Sequence, residues 1–131
     1  MKLKVTNPWS WQDSLHFSQA VEVPEGCRVV FLAGQTSVDP DGRPLYSGDM
    51  RAQLERAFEN LEFVLEEAGL TLSNLVRLNY YVTDMAAYAG ARDVVATKLG
   101  SLAVKPSGCL LGVTCLARPE LLVEIEATAV A

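Results

Sequence analysis

From Asp49 to Ala68 the chain repeats its apolar residues at helical spacing. Met50, Leu54, Phe58, Leu61, Leu65 and Ala68 form one stripe, and Arg51, Glu55, Arg56, Glu59, Glu62 and Glu66 populate the remaining surface. Such a stripe predicts an amphipathic helix with one buried face. Asp49 offers an N-cap and Gly69 a C-terminal stop. A helix of about 20 residues runs roughly 30 Å. That length is enough to cross a small sheet, so the neighbouring segments have to supply one.

Those segments read as strands. Phe17-Ser-Gln-Ala-Val-Glu-Val23 alternates loosely, Pro24-Glu-Gly26 is turn chemistry, and Arg28-Val-Val-Phe-Leu-Ala33 is a continuous apolar run ended by Gly34. The run predicts a buried central strand, joined to the first strand as a hairpin. Asp39-Pro-Asp-Gly42 is a second turn. After the helix, Leu75 to Val82 predicts a strand with Val76, Leu78, Tyr80 and Val82 on one face. Thr83 and Asp84 then offer a cap for a second helix, buried through Tyr88, Ala91, Val95 and Leu99 and closed by Gly100. Cys109 to Thr114 and Leu122 to Val130 are the last two strands. The order ββαβαββ predicts an α+β fold with two helices on one face of a mixed sheet. At 131 residues it is a single domain, residues 1–131. A sheet covered on one side leaves the other open, and strands as apolar as Val29 to Ala33 then call for a partner subunit.

Composition removes several classes of function. The net charge of −5, with scattered Lys and Arg, argues against nucleic acid as a partner. No apolar run approaches the roughly 18 residues of a membrane span. Met1-Lys-Leu-Lys-Val5 is basic but runs into Thr6-Asn-Pro-Trp9 and lacks an apolar signal core, so the expected location is cytoplasmic. Cys27, Cys109 and Cys115 show no CxxC spacing, and His16 is the one histidine, which leaves no metal site to expect. Cys109 and Cys115 sit among apolar neighbours and read as small core residues. Cys109 opens a strand after a glycine turn, which keeps a nucleophilic role open; His16 reads as incidental.

Chemistry concentrates near the C-terminal end. Val104-Lys-Pro-Ser-Gly-Cys-Leu-Leu-Gly-Val113 is a turn broken by Pro and Gly that runs into a strand. Leu121-Leu-Val-Glu-Ile-Glu-Ala127 alternates, with Val123, Ile125 and Ala127 on one face and Leu122, Glu124 and Glu126 on the other. Glu124 therefore stands on a strand built for burial with no Lys or Arg beside it in sequence. It reads either as a ligand-facing acid or as an exposed glutamate that keeps a sheet edge soluble.

Several stretches together resemble the reactive intermediate deaminase (RidA/YjgF) family. They are Phe17-Ser-Gln-Ala-Val, Ala33-Gly-Gln35, Asp39-Pro-Asp-Gly42, Asp49 with Gln53, Ala57 with Asn60-Leu, Val64-Leu with Ala68-Gly69, Val82-Thr-Asp-Met85, Lys105-Pro106 and Val123-Glu-Ile-Glu-Ala127. They cover nearly the whole chain in the family's order. The resemblance implies a chorismate-mutase-like fold, a homotrimer, and small-molecule sites in the clefts between subunits. It also implies hydrolysis of enamines and imines to a 2-oxo acid and ammonia with no cofactor. In the family an arginine clamps the substrate carboxylate, and a glutamate positions the attacking water.

Carried over residue by residue, the resemblance exposes a stripped site. The clamp arginine falls on Gly108. The family cysteine falls on Leu110, with Cys109 beside it. The tyrosine falls on Phe17, the serine before Gly-Gln on Ala33, and the second-helix asparagine on Arg92. Gly34 and Glu124 alone match. The resemblance thus makes Glu124 the catalytic candidate, and Phe17, Ala33, Gly34, Arg92, Gly108, Cys109 and Leu110 the substrate-binding candidates. Losing the clamp weakens binding of small 2-imino acids and leaves a more apolar pocket. One reading is a diverged deaminase for a larger or less anionic substrate, with Arg92 either a relocated anion contact or a solvated helix residue. The other is a non-catalytic protein that binds a small ligand or a partner. Roles in translation inhibition or RNA cleavage, ascribed to some relatives, fit the acidic charge least.

Overall fold

The computed structural model describes residues 2–131. Two short strands, β1 (Lys4–Thr6) and β2 (Ala20–Glu22), pair antiparallel in a ribbon of their own. Then follow β3 (Val29–Thr36), α1 (Met50–Glu67), β4 (Leu75–Val82), α2 (Met85–Ala89), α3 (Arg92–Leu99), β5 (Leu110–Gly112) and β6 (Val123–Val130). The main sheet has the order β3-β6-β4-β5. β6 lies antiparallel to both β3 and β4, while β5 runs parallel to β4, so the sheet is mixed. Helix α1 lies across β3 and β6, with α3 against its side. The α+β class and the helix-covered face are as the patterning predicts, with β1 as an addition.

The caps and the stripe explain α1. Asp49 accepts the Ala52 amide at 3.1 Å, and Gly69 ends the helix with φ of 75°, a conformation that disfavours side chains. Leu54, Ala57, Phe58, Leu61 and Leu65 are fully buried against Leu75, Val82, Val123 and Ile125. One polar residue shares this face. Gln53 is completely buried, donates to the Tyr46 and Glu120 carbonyls at 3.1 and 2.8 Å, and accepts the Leu122 amide at 2.8 Å. It thereby pins the start of β6 to the helix.

Four expectations need correction. The apolar run Arg28–Ala33 forms an edge strand, with β6 and β4 in the middle. It is apolar on both faces while this chain covers only one, so Leu32 is buried and Phe31 is 82% exposed. β2 and β3 make no hairpin; β2 pairs with β1 instead. The second helix is two pieces, broken at Gly90–Ala91, although Tyr88, Ala91, Val95 and Leu99 are buried as predicted. Cys109 and Cys115 are exposed, because the segments around them are loops and a strand of three residues rather than core strands.

Candidate functional site

The alternation along β6 sends Val123, Ile125 and Ala127 to the helices and Glu124, Glu126 and Thr128 to the open face. Register brings Tyr81 opposite Glu124, Asn79 opposite Glu126, and Arg77 and Phe31 opposite Thr128. The two glutamates differ sharply. Glu126 accepts the Tyr81 hydroxyl and, at 3.2 Å, the Asn79 side-chain amide. That bond to the carboxylate, together with burial, holds the Tyr81 phenol above its ordinary range. Glu124 has no hydrogen bond or ion pair to its carboxylate among the described residues.

What Glu124 has is a glycine. The β3–β6 register slips between Leu32 and Gln35, and the bulge carries Ala33 and Gly34 past the Glu124 side chain. A Cβ at position 34 would run into Glu124 Oε1. Gly34 thus leaves the room in which a half-buried carboxylate lies without a cation.

The other candidates gather elsewhere. Phe17, Arg92, Gly108, Cys109 and Leu110 all line a pocket of about 400 Å³ between α2–α3, the β4–β5 edge and the turn at residues 14–17. Its walls include Leu15, Leu78, Val95 and Pro106. Glu124, Ala33 and Gly34 are not part of it: Leu78 and Tyr80 present the helix side of β4, and Glu124 lies on the opposite side of the sheet. One chain therefore splits the predicted site into an acid on the open face and a pocket on the covered face.

Backbone pairing shapes position 108, onto which the resemblance places the clamp arginine. Ser107 bonds to Val76 and Leu78 through its backbone, and the Tyr80 amide donates to the Cys109 carbonyl. The Cys109 amide in turn donates to Asn79 Oδ1 at 3.0 Å. This draws Gly108 so close to β4 that an added Cβ would strike the Leu78 carbonyl oxygen. Any side chain at 108, arginine included, would require this backbone to shift.

Sequence reasoning passed over three residues of the pocket. His16, dismissed as incidental, lines it from a left-handed backbone with φ of 61°. Tyr80 and Tyr88 read as core stripe; Tyr88 is buried, Tyr80 is half-buried, and their rings lie 5.9 Å apart. Burial pushes the Tyr80 phenol well above its usual value, reinforced by Tyr88; burial also raises Tyr88, opposed by the Arg92 charge. The signal available in the sequence was a pair of phenol hydroxyls inside an otherwise apolar stripe. Among the described residues no three His, Cys, Asp or Glu side chains converge to hold a metal ion, and no helix is long and apolar enough to cross a membrane.

Comparison with known proteins gives this geometry a context. The family model described as endoribonuclease L-PSP matches residues 11–131. The chain belongs to this family, which is also the RutC, YjgF or Rid family. Protein DfrA of Myxococcus xanthus is 37% identical over 114 residues, 87% of this chain and 84% of that one. The mouse 2-iminobutanoate/2-iminopropanoate deaminase is 32% identical over 115 residues, 87% of this chain and 80% of its own. A protein of the conserved Rid family from Yersinia pestis matches in structure with a TM-score of 0.88 at 34% identity, covering 98% of both chains.

Proposed function

We propose that this Rid-family chain is a cofactor-independent imine or enamine hydrolase acting on a non-standard substrate at a site shared between copies in a homotrimer. The observation that carries the reading is the unpartnered Glu124 carboxylate over Gly34. An acid kept half-buried without a cation is costly as structure and useful as a proton carrier. Kinship with the mouse deaminase supports the reaction class.

The division of the site supports the assembly. Glu124 and the pocket lie on opposite sides of one sheet, so only a second copy can bring an acid of this kind to the pocket. The exposed apolar residues of the open face, Phe31, Val29 and Leu111, give that copy a surface to cover. Within the shared cleft, Glu124 takes a proton from water as the oxygen attacks the imine carbon. That proton passes to nitrogen to give a carbinolamine; the same carboxylate then moves the hydroxyl proton to nitrogen as the C–N bond breaks and the C=O bond forms, and ammonia and a carbonyl compound leave. An enamine first takes a proton at carbon and enters as the imine.

With glycine at 108, turnover of the smallest 2-imino acids is expected to be weak. The protein is expected to be cytoplasmic and to bind neither nucleic acid nor membrane. The test generates imines in situ from amino acids with an amino-acid oxidase and follows their loss. Wild type should accelerate hydrolysis of at least one bulky imine, and Glu124→Gln should lower that rate about 10²- to 10⁴-fold. The absence of acceleration for every imine, with ligand binding retained, would instead support a non-catalytic binding protein. That second reading rests on the closed backbone at Gly108.

A further inference from the structure

The outer face of α1 carries a surface that neither the sheet nor the pocket uses. Phe63 is 56% exposed and Val64 40%, on a helix whose other large apolar residues are buried. Helical spacing sets Glu59 one turn before Phe63, and Glu66 and Glu67 one turn after it. Glu66 also lines a groove of about 470 Å³ between the C-terminal ends of α1 and α3, where Leu70, Leu72 and Leu102 supply the apolar part. This groove shares no residue with the pocket that holds Arg92 and Gly108.

The charge around this surface is one-sided. A helix ends in unpaired carbonyls and a partial negative charge, which lysine or arginine in the last turn offsets. α1 has no basic residue in its last turn and carries Glu66 and Glu67 at that end. Two acids further back are answered: Arg56 meets Glu59 at 3.5 Å and Lys98 meets Glu62 at 2.9 Å. Glu66 and Glu67 make no ion pair among the described residues. Arg28 reaches the helix end, but it bonds the Ala68 carbonyl at 3.4 Å and not a carboxylate. Negative charge thus stands beside an exposed aromatic ring and an apolar groove.

We infer that this surface docks a basic amphipathic helix of a partner protein. An apolar side chain of the partner enters the groove among Leu70, Leu72 and Leu102, and the next turn of the partner packs on Phe63 and Val64. Lysine or arginine beside those anchors pairs with Glu66 and Glu67 and faces the negative end of α1. Charge selects this occupant. A second copy of the chain, at a net charge of −5, brings like charge to like, and an anionic membrane is repelled. A small cation would neutralise the acids and leave Phe63 in water. The inference is independent of the proposed hydrolase, because it uses neither Glu124 nor the pocket.

Two labelled peptides of leucine and lysine test it by fluorescence anisotropy at physiological ionic strength. One is patterned as a helix of about four turns with a single apolar face, and the other has the same composition scrambled. The patterned peptide should bind wild type about tenfold or more tighter than the scrambled one. Phe63→Ser alters an exposed residue, so it should fold normally and weaken the patterned peptide about tenfold. Glu66→Lys/Glu67→Lys should weaken it at least as much. Glu25→Lys/Glu120→Lys makes the same change of net charge at exposed acids outside the groove and should stay within about twofold of wild type. Bound peptide should slow amide exchange at residues 62–73 and 98–102. Failure of the patterned peptide to bind overturns the inference, as does equal affinity for the two peptides. Equal losses in the two charge-reversal pairs, or wild-type affinity in Phe63→Ser, overturn it as well.

Discussion

On the side facing α1, the sheet presents Leu32, Leu78, Ile125 and Ala127, all buried and all apolar. On the other side the same strands present Phe31, Arg77, Glu124 and Glu126. The first face is filled by this chain alone and makes the fold. The second mixes ring, cation and carboxylate in a combination that one chain leaves unfinished. The difference teaches where each kind of substitution will be felt. Changes in the packed core of the covered face should act on folding, changes that line its pocket on the proposed binding site, and changes on the open face on the proposed assembly and chemistry.

The strongest way to break that division is to exchange phenylalanines. Phe58→Ala, which empties a fully buried site, should cost about 3–5 kcal/mol in urea unfolding. Phe31→Ala should stay within about 0.5 kcal/mol for the monomer and should lower the oligomeric state seen by sedimentation. If Phe31→Ala unfolds the chain and leaves its association intact, the two faces do not differ as stated. Next in size is Gly108→Ala, whose Cβ meets the Leu78 carbonyl oxygen; it should cost about 1–3 kcal/mol.

A finer comparison lies within the open face. Glu126→Ala leaves the Tyr81 hydroxyl and the Asn79 amide without their acceptor and should destabilise by about 1 kcal/mol. Glu124→Ala removes no bond and should leave the unfolding midpoint unchanged. A larger loss for Glu124→Ala than for Glu126→Ala would mean that Glu124 is structural. The smallest effect belongs to the rim of the pocket. Arg51 holds the Asp93 carboxyl below its ordinary value, so the pair stabilises above the unfolded pKa of about 3.9 and the benefit is lost as pH falls through the folded value. Wild type and Asp93→Asn should therefore differ by a constant amount near neutrality and converge in acid, as read by thermal melts across pH 2–7.

Much of the first face was legible in the sequence. The stripe from Met50 to Leu65 and the alternation of β6 are local patterns, and local patterns survive in one dimension. β3 was misread as central because apolarity on both faces does not say whether the second cover comes from this chain or from another. The β1–β2 pairing joins two strands of three residues across a long gap, with no period to detect. The site was half legible. Glu124 and Gly34 were marked and do meet, but only strand register reveals that Arg92 and Leu110 lie beyond the sheet from them. Tyr80 and Tyr88 were hidden because a ring in an apolar stripe is counted as core, although both residues also line the pocket.

The buried amide of Gln53 has a bearing on time as well as place. The Leu122 amide hydrogen is held by that side chain and not by a neighbouring strand. Its exchange with solvent therefore reports how often one glutamine lets go, two residues ahead of Glu124. If that release is rare, the acid is aimed before any ligand arrives. If it is frequent, aiming the acid becomes a step in its own right, and a single amide proton measures its rate.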